Sequence, residues 1–171
     1  DKSFRNGVFV AAGDIDGDGT DEIIAGSGKD SLPKIKVFDG YGNLKSEFFA
    51  YAENFRGGVN VASGDIDGDG TDEIIAGAGN GGGPQVRIFD AKGVVKQQFF
   101  AYAENFRGGV NVASGDINQD GIDEIVTGAG QGGGPHVRVF DKDHILLKGF
   151  FAYDNSMSGG VNVAVINVKV K

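Results

Sequence analysis

The sequence predicts an all-β protein of β-propeller-like blades, each of four antiparallel strands, arranged as three full repeats of 51 residues plus a closing strand. Three observations predict it: an Asp-rich segment that recurs at a fixed step, short apolar segments bounded by Gly, Asp and Asn, and no sustained 3.6-residue period. Asp14-Ile15-Asp16-Gly17-Asp18-Gly19-Thr20-Asp21-Glu22 returns unchanged at 65–73 and in variant form at 116–124, each 51 residues on. Phe4-Arg5, Phe55-Arg56 and Phe106-Arg107 open the units, and Pro33, Pro84 and Pro135 keep the same spacing. Units 55–105 and 106–156 share 32 of 51 residues without a gap. A single repeat domain, 1–171, therefore divides into blades 4–54, 55–105 and 106–156 and a partial repeat, 157–171.

Each unit carries four strand signals. In the second, Val59-Asn60-Val61-Ala62 alternates, Glu73-Ile74-Ile75-Ala76 is a short β-branched run, Gln85-Val86-Arg87-Ile88-Phe89 alternates again, and so does 94–102. Val59 and Val61 share one face of a strand and Asn60 takes the other. The pairs Phe48-Phe49, Phe99-Phe100 and Phe150-Phe151, each followed by Ala-Tyr, place one ring on each face and are expected to pack between sheets. Four strands in about fifty residues describe one propeller blade, which buries its faces only by stacking on neighbours. Three blades fall short of the usual ring of roughly four to eight. The expected resolutions are a longer propeller of which this is the C-terminal part, a strained four-blade ring, or several chains completing one another. The last unit keeps a first strand, 159–169, but has Val165-Ile166-Asn167 where the others have Ser-Gly-Asp. It reads as a closing strand without a metal loop.

Net charge is -8, with 24 acidic and 16 basic residues. The three nine-residue loops hold fourteen of the acids, so the rest of the chain is net positive by six. Solubility does not require acidity concentrated this way. The basic residues are scattered, which argues against nucleic acid as a partner. No apolar run approaches the ~18 residues of a membrane helix, so the chain does not read as membrane-spanning. There is no cysteine, hence no disulfide framework.

In each loop, Asp at positions 1, 3 and 5 puts three carboxylates on alternate residues of a tight turn. Gly at position 6 allows the bend after the third, and position 7 offers a backbone carbonyl, which leaves its side chain free to vary. Position 9 is a glutamate able to bind through both oxygens. The candidate ligands are Asp14, Asp16, Asp18, Thr20 and Glu22; Asp65, Asp67, Asp69, Thr71 and Glu73; and Asp116, Asn118, Asp120, Ile122 and Glu124. An all-oxygen, multi-carboxylate, flexible set suits Ca²⁺; Mg²⁺ keeps more water, and Zn²⁺ wants His or Cys. An EF-hand needs Glu at position 12 and flanking helices. Position 12 here is Ala25, Ala76 or Thr127 and the flanks are β. In loop 3, Asn118 and Gln119 replace Asp and Gly, and on ligand charge this loop is expected to bind Ca²⁺ most weakly. Asp21, Asp72 and Asp123 at position 8 are open between supporting the ligands and capping the turn.

The Gly-rich stretches 77–84 and 128–135 are followed by strands rather than helices, which disfavours a phosphate loop. They read as turns or points of close blade-to-blade approach. His136 and His144 have no counterparts in the other units and read as exposed strand and turn residues. No nucleophile–base constellation is visible, so no enzyme activity is expected.

The run from Phe55 through Gly-Gly-Val-Asn-Val-Ala-Ser-Gly-Asp65-Ile-Asp-Gly-Asp-Gly-Thr-Asp-Glu73 to Gly79 resembles the FG-GAP/VCBS repeat of integrin α-subunit propellers and bacterial surface proteins. The resemblance implies a propeller with Ca²⁺ in a hairpin loop of each blade, an extracellular or cell-surface setting, and adhesion to protein or carbohydrate partners. The family usually has Asp at position 9; Glu22, Glu73 and Glu124 add a methylene that the loop must absorb. Three functions of different class are expected: a structural or adhesive module stiffened by Ca²⁺; a self-assembling subunit of an oligomer or extracellular filament, joined through incomplete propeller edges; and a carbohydrate-binding propeller or ancillary domain of a polysaccharide-active enzyme.

Overall fold

The structure, a computed structural model, describes residues 5–166. Phe4 and the last residues of the expected closing strand, 167–169, lie outside the described residues. Twelve strands form three antiparallel sheets of four among the described residues, each in simple meander order. The first holds β1 (Val8–Gly13), β2 (Glu22–Ser27), β3 (Lys34–Phe38) and β4 (Leu44–Phe49). The second holds β5 (Val59–Gly64), β6 (Glu73–Ala78), β7 (Gln85–Phe89) and β8 (Val95–Phe100). The third holds β9 (Val110–Gly115), β10 (Glu124–Ala129), β11 (His136–Phe140) and β12 (Leu146–Phe151). The strands fall where alternation and turn residues predict them. The third and fourth strands of each sheet shift register near the end of the third, at Val37/Phe38, Ile88/Phe89 and Val139/Phe140.

The sheets stack face to face through their first and second strands, and the core lies between them. Ile24, Ile35 and Val37 of the first sheet meet Val59, Ile74 and Phe89 of the second. One step on, Ile75, Val86 and Ile88 meet Val110, Ile125 and Phe140. Close approach requires glycine: a Cβ on Gly26 or Gly77 would sit 2.2 or 2.4 Å from the carbonyl oxygen of Val59 or Val110 on the next blade. The expectation of close blade-to-blade approach at the Gly-rich stretches therefore holds. A polar latch repeats beside it. Tyr51 donates its hydroxyl to the Ala76 and Gln85 carbonyls, and Arg87 lies over the Tyr51 ring and donates to the Ala50 carbonyl. Tyr102 and Arg138 repeat the arrangement between the second and third blades.

The phenylalanine pairs split unevenly. Phe48 packs on Phe89 and Phe99 on Phe140, at ring separations of 5.1 and 4.9 Å. Phe49, Phe100 and Phe151 stay exposed, and so does Phe150, against which no further sheet packs among the described residues. The end faces show the same effect. Val59 and Ile74 are fully buried, whereas their counterparts Val8 and Ile23 are 58% and 40% exposed. Residues 159–166 cover part of the third blade, with Val161, Val163 and Val165 against Val126 and Val137. They occupy the place of a next first strand without strand pairing among the described residues. The histidines are not plain surface residues: His144 stacks on Phe99 and His136 on Phe151, and partial burial holds both below the ordinary histidine value.

Candidate metal sites

Each Asp-rich loop joins the first two strands of a sheet. The hairpin registers close it between Gly13 and Glu22, Gly64 and Glu73, and Gly115 and Glu124. Position 9 is therefore the first residue of the second strand, and its glutamate is buried beneath the loop in all three copies. Position 1 organises the turn above it. Asp14 accepts the N–H groups of Gly17, Asp18 and Gly19, and Asp65 those of Gly68, Asp69 and Gly70. Asp116 accepts those of Asp120 and Gly121. Asp18, Asp69 and Asp120 each accept the N–H of position 7, which is Thr20, Thr71 or Ile122. Gly19, Gly70 and Gly121 have φ of 86°, 89° and 90°, the left-handed bend that position 6 was expected to make. Position 4 bends the same way, and there Gln119 is held at φ 65° where loops 1 and 2 have glycine.

The folded loops gather carboxylates. Oxygens of Asp14, Asp16 and Asp18 lie within 4.8 Å of one another, as do those of Asp65, Asp67 and Glu73. Among the described residues, loop 3 assembles no such carboxylate trio. Its Asn118 amide donates to Glu124 Oε1 at 2.6 Å and to Asp120 Oδ2 at 3.0 Å.

Two lysines belong to these sites. Lys45 Nζ lies 2.5 Å from Asp16 Oδ2 and 2.9 Å from Glu22 Oε1; Lys96 Nζ lies 2.5 Å from Asp67 Oδ2 and 2.7 Å from Glu73 Oε1. These bonds hold both ammonium groups above the ordinary lysine value, and the Lys45 bond holds Asp16 below the ordinary carboxylate value. Glu73 is raised, because burial outweighs its Lys96 bond. A reading confined to the nine-residue windows misses these lysines, which stand 29 residues after position 3. The repeat step shows them, as Lys45 and Lys96 are 51 apart.

Position 8 stitches the loops together. Asp72 donates its N–H to the Asp14 carbonyl and Asp123 to the Asp65 carbonyl, both at 2.9 Å. A Cβ on Gly13 would meet the Asp72 carboxylate, and one on Gly64 that of Asp123. Burial, reinforced by the nearby carboxylates of Asp123, Asp21, Asp65 and Asp14, pushes Asp72 up to about 6.

The donor set fits calcium. It is all oxygen, and Glu22 Oε2 is buried without a hydrogen-bond partner, a state that a coordinated cation would relieve.

The chain is similar to known proteins in sequence and in fold. Residues 57–89 and 108–140 match the FG-GAP repeat, and each match runs from just before a blade's first strand to the end of its third. Integrin alpha-8 of Gallus gallus is 30% identical over 151 residues, covering 72% of this chain. The chain spans only 14% of that integrin. Among solved structures, the exotype rhamnogalacturonan lyase YesX superimposes with a TM-score of 0.60 at 16% identity, over 82% of this chain and 32% of the lyase. Rhamnogalacturonan lyase YesW does so with a TM-score of 0.60 at 14% identity, over 88% and 35%. At these identities the lyases establish the fold alone.

Proposed function

The chain belongs to the FG-GAP repeat family, and from that premise we propose that it is a non-catalytic, calcium-binding structural or adhesive module of an extracellular or cell-surface protein. The observation that carries the reading is the hairpin loop repeated three times over a buried glutamate, which in loops 1 and 2 gathers three carboxylates within 4.8 Å of one another. The ligands would be Asp14, Asp16, Asp18, Thr20 and Glu22, with Asp65, Asp67, Asp69, Thr71 and Glu73, and Asp116, Asn118, Asp120, Ile122 and Glu124, at the corresponding positions of loops 2 and 3. Bound Ca²⁺ supplies the positive charge that lets these oxygens share one small volume. The chain's own contribution is positional. The position 1 aspartates bend the loops, the position 8 amides tie each loop to the one before, and the buried glutamates fix the floor. By carboxylate count alone, loop 3 is the weakest of the three sites. Saturating Ca²⁺ stabilises the fold by about 2.7 kcal/mol per site at a hundred-fold excess over Kd. Calorimetric melting is therefore expected to show a clear rise with millimolar Ca²⁺ and its reversal by EDTA; an unchanged melt refutes the structural role of the metal.

Two further readings each have an observation in their favour. A groove of about 470 Å³ between the first and second blades is lined by Tyr51, Phe55, Phe100, Arg87, Glu104 and Arg107. Aromatic rings beside paired donors and acceptors suit a sugar, and a glycan array tests carbohydrate contact. The exposed end faces, with Val8, Val10 and Ile23 at one end and Phe150 and Tyr153 at the other, favour association with a second copy or further blades. Light scattering that finds only monomer excludes the former.

A further inference from the structure

Building on the calcium reading, we infer that Lys45 and Lys96 are resident counter-cations of loops 1 and 2, and that they lower the calcium affinity of these loops toward that of loop 3. Each lysine sits near the start of the outermost strand of its blade and reaches back to the loop between the first two strands. Its ammonium joins the position 3 and position 9 carboxylates, two of the four that the loop offers a metal. Coordination by those two oxygens has to break or share these ion pairs.

The third unit supplies the control within one chain. The residue equivalent to Lys45 and Lys96 is Leu147, half exposed, and the residue equivalent to Asp16 and Asp67 is Asn118. Ammonium and carboxylate are lost together, as expected if they act as a pair. The Asn118 amide takes over the ammonium's bond to the buried glutamate, at 2.6 Å from Glu124 Oε1. The charge balance follows. In loops 1 and 2, four ligand carboxylates face one ammonium, and in loop 3 three carboxylates face no lysine among the described residues, so on these groups each site carries the same net charge. The extra aspartate gives loops 1 and 2 no electrostatic advantage while the lysine stays in place. These are not ordinary surface ion pairs, because the glutamate partner is 3–4% exposed and removal of its cation leaves a buried charge uncompensated.

Calcium titration of the intact chain, with metal-free melting alongside, tests this in the wild type, K45M/K96M and L147K. In K45M/K96M two of the three sites are expected to tighten by about tenfold or more, the effect of removing a like charge at ligand distance. The metal-free melting temperature of this variant is expected to fall. L147K is expected to weaken one site by a similar factor. Wild-type binding with no gain of affinity in K45M/K96M overturns the lysines' role and leaves the calcium reading intact. No binding by either protein overturns both.

Discussion

Loops 2 and 3 share a backbone path, a buried glutamate and a stitch to the preceding loop, yet they neutralise that glutamate differently. Loop 2 uses Lys96, a charge delivered from another strand, and keeps Asp67 beside it. Loop 3 uses Asn118, a neutral donor inside the loop, and has leucine at the position of Lys96. The fold therefore demands a donor for the position 9 carboxylate and is indifferent to whether the donor is charged. What changes is how many negative oxygens surround the place where a cation would sit, and how much work the first aspartate does in holding the turn.

The largest effect that would break this comparison is at position 1. Asp65 holds three backbone N–H groups and Asp116 two. Each net hydrogen bond to a charged group is worth about 1.5–3 kcal/mol, and relief of repulsion from the neighbouring loop carboxylates offsets part of the loss, so D65A is expected to cost roughly 3–5 kcal/mol of metal-free stability, and D116A less. Urea unfolding in EDTA measures both, and equal losses would show that the third amide of Asp65 contributes nothing.

Next comes N118D, which gives loop 3 the ligand set of loop 2 without its lysine. It removes the donor to Glu124 and adds a like charge, so the metal-free protein is expected to melt about 2–4 °C lower. Calcium affinity at that loop is expected to rise about tenfold. A titration in which affinity does not change would detach ligand charge from binding strength.

A smaller effect is expected from Q119G. Gln119 adopts a left-handed conformation that glycine occupies freely in loops 1 and 2, so the substitution is expected to stabilise the chain by about 1 kcal/mol. Thermal melting in EDTA checks the sign.

The smallest concerns Asp72, which is raised to about 6 by burial and by its carboxylate neighbours. Its folded value lies above its unfolded value, so the folded state binds the extra proton. The metal-free fold therefore loses stability as pH rises from about 4 to about 6, and the whole cost remains above that. Asp72 is only half buried, so solvent screening keeps this cost under about 1 kcal/mol. D72N is expected to stabilise the metal-free chain at pH 7 and to match wild type near pH 4. Parallel melts across that range decide, and a benefit that persists at pH 4 would point to packing rather than charge.

Much of the fold was legible because repetition removes ambiguity. The strand signal at Val59 recurs at Val8 and Val110, and glycine at position 6 announces the backbone angle of each loop. The repeat also marks the Asp, Asn and Glu positions of the loops, which is what makes them candidates. The lysines were not, because an ion pair spanning 29 residues leaves no local pattern and appears only once β4 and β8 return beside the hairpins. The phenylalanine pairs were half legible: alternation put one ring on each face, but only the presence of a following blade decides whether Phe48 or Phe150 is covered. The position 8 aspartates were ambiguous, since their partner is the neighbouring loop rather than their own.

By itself the sequence determined the repeat, the strands, the tight turns and the oxygen-rich loops, because each depends on residues close in the chain and on backbone preferences that local chemistry sets. The tertiary structure alone decided which cation reaches Glu22 and Glu73, which loop leans on which, and which apolar face stays open. Those outcomes depend on distances between segments that meet only after the sheets stack, where burial turns a single missing charge into a cost.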